Sequence, residues 1–79
     1  MNEHRTALRQ RTYKGGSISF GSAPAIECVI RNLSETGACL EVASRGVPDN
    51  FTLLVKPELL KRSCSVAWRT DRRIGVRFI

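Results

Sequence analysis

From Ser17 to the last residues the chain alternates apolar and polar side chains with period two, and that period restricts its fold more than any other feature. Ile18 and Phe20 alternate with Ser17 and Ser19. Ile26, Cys28 and Ile30 alternate with Glu27, Val29 and Arg31. Ala38, Leu40 and Val42 alternate with Cys39 and Glu41, and Phe51, Leu53 and Val55 form a fourth set. Cys64, Val66 and Trp68 form a fifth, and Ile74, Val76 and Phe78 a sixth. Side chains on a strand point alternately to its two faces, so each segment has one apolar face and one polar or mixed face.

Turn chemistry separates the segments. Gly21-Ser22-Ala23-Pro24, Ser34-Glu35-Thr36-Gly37 and Val47-Pro48-Asp49-Asn50 are breaker clusters. Thr70-Asp71-Arg72-Arg73 is a polar connection between the last two strands, and Pro57-Glu58-Leu59-Leu60-Lys61 suggests one helical turn. Six short antiparallel strands on a small core predict a closed or nearly closed β-barrel, because closure protects strand edges. Residues 1–14, MNEHRTALRQRTYK, are polar and basic and read as a flexible arm. Gly15-Gly16 punctuates the chain, leaving a single barrel domain over residues 15–79.

A chain of 79 residues makes one small domain. A domain of this size buries only about 60% of the surface its unfolded chain exposes, so function is expected on the surface or rim rather than in a deep cleft. No catalytic constellation appears. His4 has no identifiable acid or nucleophile partner, and Gly15-Gly16 after Lys14 lacks the strand–GxxxxGK–helix context of a phosphate loop. An enzyme is not expected.

The chain carries 13 Lys+Arg against 7 Asp+Glu, a net charge of +6, and ten of the bases are arginine. Arginine pairs bidentately with phosphate oxygens and stacks on flat rings, which points to an anionic partner with flat groups. The three cysteines, Cys28, Cys39 and Cys64, lack CxxC spacing, and His4 cannot complete a zinc set with them. Cys28 and Cys64 read as small core residues in a reducing compartment, and Cys39, on the opposite face, as a free thiol. No apolar run approaches membrane-spanning length and no signal-peptide pattern opens the chain, so a cytoplasmic location without membrane insertion is expected.

Two motifs remain. Arg5-Thr6-Ala7-Leu8-Arg9 spaces two arginines four apart, as do Arg69/Arg73 and Arg73/Arg77, so the spacing alone says little; only the first copy lies on an arm ahead of the strands. Asn32-Leu33-Ser34-Glu35-Thr36-Gly37 is at least a hairpin turn, in which Gly37 can supply positive φ, Asn32 an Asx-turn and Ser34 a bond to nearby backbone. Between Arg9 and Asn32 lie 22 residues, room for a strand, a turn and a second strand, so the arm can lie near the turn.

Together these motifs resemble the PilZ domain, the bacterial cyclic di-GMP receptor, whose pattern is RxxxR followed by D/N-x-S-x-x-G. Here the two read RTALR and NLSETG, and the strands GACLEV and CSVAWRTDRRIGVRF are also similar to the family's. The resemblance implies a second-messenger receptor that needs no cofactor and signals to a downstream protein. It implies that Arg5 and Arg9 grip the ligand's phosphates and guanines, that Asn32 and Ser34 hydrogen-bond a guanine or a neighbouring phosphate, and that Gly37 shapes the loop. Many members carry aspartate where this chain has Asn32. Trp68 is expected as a core or rim aromatic; the alternative, seen in some members, is a ring close to a ligand base.

Two other readings compete. A small basic barrel binding RNA or DNA would use the charge, but the five aromatics do not cluster for base stacking. A PilZ-like interaction module without nucleotide is disfavoured by both motifs being intact.

Overall fold

The computed structural model describes residues 10–44 and 46–79. Six strands, β1 (Gln10–Ser19), β2 (Ile26–Leu33), β3 (Gly37–Glu41), β4 (Asn50–Val55), β5 (Leu60–Arg69) and β6 (Arg73–Phe78), form one closed barrel. Their order is β1-β2-β3-β6-β5-β4, and every neighbouring pair is antiparallel. The all-β, six-stranded barrel expected from the alternation is the fold observed. No helix among the described residues is long and apolar enough to cross a membrane.

The inward faces are those the period-two pattern marks. Ile18, Ile30, Leu40, Leu53 and Cys64 are fully buried, with Cys28, Phe51, Val55, Ile74 and Val76 around them. The link between β3 and β4 crosses one end of the barrel, and its Val42 and Val47 are buried in the same core. At the other end Arg62 lies 4.4 Å over the Phe78 ring and donates to the Glu35 carbonyl at 3.3 Å.

Outside the Asn32–Gly37 motif, the structure departs from the sequence reading in three places. Residues 10–14, read as the end of the arm, belong to β1, which runs through Gly15-Gly16 without a break. Gly16 packs closely inside the barrel: a β-carbon there would stand 3.1 Å from both Cys28 Sγ and Ile30 Cδ1. The suggested helical turn at 57–61 is instead a tight hairpin turn, with Leu59 at φ 63° and Leu60 already in β5.

Trp68 is the third departure. Alternation puts it inward with Cys64 and Val66, yet it is 48% exposed. The register of β5 against β6 shifts between Val66 and Trp68, so Ala67 is an extra residue and Trp68 pairs with Gly75. A bulge of this kind inverts the in–out parity of everything beyond it.

Candidate functional site

Three register shifts lie side by side. Beside the one in β5, β2 shifts between Ile30 and Asn32, and β1 between Arg11 and Lys14. The β2 shift makes Arg31 the extra residue and turns Asn32 outward. Two of the displaced side chains hold each other, because the Arg31 guanidinium lies 4.6 Å over the Tyr13 ring while pairing with Glu41. Bulges re-aim side chains locally, and here they re-aim them along one line.

That line is a single cross-strand row. Arg11 pairs with Asn32, Asn32 with Cys39, Cys39 with Gly75 and Gly75 with Trp68. Cys39 and Gly75 alternate with the inward Leu40, Ile74 and Val76, so the row from Asn32 to Trp68 lies on the barrel's outer face. Gly75 is nonetheless buried, since the indole of Trp68 lies across it; a β-carbon at 75 would overlap Nε1 and Cε2 of that ring. A strand-interior glycine often marks such a close approach, and that signal was present in the sequence.

The turn residues border the same surface. The Ser34 amide donates to the Gly37 carbonyl at 2.9 Å. Ser34 Oγ accepts from the amides of Thr36 and Gly37, both at 3.2 Å. Ser34 thus organises the turn, as its side chain's short reach allows. Gly37 does so differently from expectation. It has no positive φ; a β-carbon there would collide with the backbone carbonyl of Val76 on β6. Asn32 makes no Asx-turn either. It sits in β2 two residues before the turn, and its amide has no hydrogen-bond partner among the described residues.

Asn32, Ser34, Gly37, Cys39, Trp68 and Arg77 therefore share the lining of one groove of about 200 Å3. Arg5 and Arg9 lie outside the described residues, so the structure brings together four of the six residues expected from the sequence. Cys39, Gly75 and Arg77 are additions that alternation alone classed as ordinary outward positions.

The groove's electrostatics are simple. Around the barrel, Lys14–Glu58, Arg31–Glu41, Lys56–Glu27 and Arg69–Asp49 form ion pairs. Hydrogen bonds from Lys56 and then Ser17 hold the Glu27 carboxyl below its usual range. Arg77, exposed on the groove wall, has no such partner among the described residues. All three cysteines are free. Burial pushes the thiol of Cys28 up to about 12 and that of Cys64 up to about 11, so both stay protonated and inert. No group of three or more His, Cys, Asp or Glu that could hold a metal occurs among the described residues.

A flat exposed ring, an open amide, a hydroxyl-organised turn and an arginine fork on one wall suit a flat, anionic, hydrogen-bonding ligand. No curated protein matches the chain. The PilZ domain family model matches residues 3–79, and with essentially its whole length covered, this chain belongs to the PilZ domain family.

Proposed function

We propose that this domain is a cyclic di-GMP receptor in which Arg5 and Arg9 close over the groove of Asn32, Ser34, Gly37 and Trp68. The PilZ family is a family of cyclic di-GMP-binding domains, and it acts on partner proteins. The observation that carries the reading here is the row Arg11–Asn32–Cys39–Gly75–Trp68. It leads the chain into the barrel on the strand that borders the groove. Gln10 pairs with Leu33, so Arg9 is one Cα step, ~3.8 Å, from a residue already seated beside the turn.

Size supports a role for the arm. Pockets that enclose a small ligand hold ~300–1,000 Å3, whereas the groove holds about 200 Å3. A dinucleotide needs a second wall, and the residues ahead of Gln10 are placed in sequence to supply it. Arginine forks suit both the phosphates and the O6/N7 edge of guanine, and the indole face suits a stacked base. Asn32 offers a neutral amide where a carboxylate would accept more strongly, which lowers affinity by ~1 kcal/mol.

Ordering the arm costs free energy that the new charge-assisted bonds must exceed. The closed arm changes the surface that a downstream protein reads, so the arm is both clamp and switch. The protein acts without chemistry of its own, in the cytoplasm, where three free thiols stay reduced.

Calorimetric titration with cyclic di-GMP tests this, with GTP and a short RNA as controls. Saturable binding to the dinucleotide, lost in Arg9→Ala, is expected. No heat up to ~100 µM ligand, where even modest sites show, would overturn the reading. Tighter binding to the RNA, falling steeply with salt, would replace it with a nucleic-acid-binding barrel.

A further inference from the structure

Four cationic side chains, those of Lys61, Arg72, Arg73 and Arg77, make no ion pair or hydrogen bond among the described residues. Only Arg77 of these lines the groove with Asn32 and Trp68. Its place is set by rigid structure. It pairs with Gly37 on one side and Ser65 on the other, in the interior of a closed barrel. It shares the outer face of β6 with Gly75, two residues back, on which the indole rests. The two positions are ~7 Å apart along the strand, at ~3.4 Å per residue. No described residue engages its guanidinium by an ion pair or hydrogen bond.

We infer that Arg77 is a ligand-contacting arginine, pairing with a phosphate of the dinucleotide whose base stacks on Trp68. This rests on the function proposed above. Arg77 is anchored on β6, paired with Gly37 at the end of the Ser34–Gly37 turn. A planar fork on a fixed strand keeps its geometry before the ligand arrives, so it loses little freedom on binding. The domain therefore holds part of its anion recognition ready-made on the barrel.

The test is calorimetric titration of cyclic di-GMP into the full chain and into Arg77→Ala, Arg77→Lys and Arg73→Ala. Arg73 lies at the other end of β6 and controls for the loss of one charge. Arg77→Ala is expected to bind at least ~10-fold more weakly with an unchanged thermal unfolding midpoint, since such a loss corresponds to one charge-assisted contact. Arg77→Lys, keeping charge without the fork, should fall between, and Arg73→Ala should stay within about twofold. Wild-type affinity in Arg77→Ala, or equal losses in Arg77→Ala and Arg73→Ala, would overturn the assignment while leaving cyclic di-GMP binding in place. A wild-type chain that binds no dinucleotide would overturn both.

Discussion

Trp68 and Gly75 pair across β5 and β6, and a β-carbon at 75 would overlap Nε1 and Cε2 of the indole where it stands. Trp68 is 48% exposed and lines the groove. Gly75→Ala should therefore act on the ring rather than on the fold. The indole is free to swing outward, so stability should fall by no more than ~1 kcal/mol. Tryptophan emission should shift and cyclic di-GMP should bind more weakly. An unchanged emission spectrum would mean that the ring does not depend on this glycine.

Gly37→Ala should behave in the opposite way. Its β-carbon meets the backbone carbonyl of Val76, which has no rotamer to change. Overpacking against backbone costs ~1–3 kcal/mol, so urea unfolding should show a clear loss of stability. Gly15→Ala is the matched control, because its nearest neighbour is the Lys56 side chain at 3.9 Å. Relief of the glycine entropy term there should leave stability unchanged or raise it by ~0.5 kcal/mol. A Gly37→Ala protein as stable as Gly15→Ala would contradict the close approach of β3 to β6.

The cysteines should separate by reactivity. An exchangeable disulfide reagent should titrate Cys39 in the folded protein, and Cys28 and Cys64 only after unfolding. Alkaline pH gives a second check. The native thiols at 28 and 64 hold their protons above the ordinary value of 9.0. Between that value and the native ones the folded state binds more protons than the unfolded state. Stability must then fall as pH rises beyond about 9. Chemical unfolding at pH 8 and pH 10.5 should show this fall, and Cys28→Ala should flatten it. Equal slopes in the two proteins would remove burial of that thiol as the cause.

Amide exchange reads the arm directly. Residues 4–9 should exchange more slowly once cyclic di-GMP is added, while β4, remote from the groove lining, should not change. Binding without any slowing in residues 4–9 would leave the ligand on the barrel and rule out the arm as clamp.

Much of the fold was legible because burial in a thin barrel leaves little freedom. Ile18, Ile30, Leu40, Leu53 and Ile74 all face inward as their alternation requires. The turn at Ser34–Gly37 was legible from its polar residues, and Ser34 bonds nearby backbone as its chemistry suggests. The start of β1 was not. Its polar residues 10–14 carry no apolar face of their own and are strand because β2 pairs with them. The reason for Gly37 was misplaced as well: the turn looked like a place for positive φ, but the constraint comes from Val76, 39 residues further along the chain.

Trp68 and the Asn32 turn show where sequence stops. By itself the sequence determined six strands, their inward residues, a polar hairpin and a basic segment ahead of them. It did so because period two and turn chemistry are local properties. Tertiary structure alone decided that Asn32 and Trp68 line one groove on the outer face. Each lies just beyond an inserted residue, Arg31 or Ala67, and one inserted residue inverts every later side chain on its strand. Ile30-Arg31-Asn32 and Val66-Ala67-Trp68 are both compatible with straight alternation. Which residue is extra depends on the partner strands' register, and that is settled only when the barrel closes.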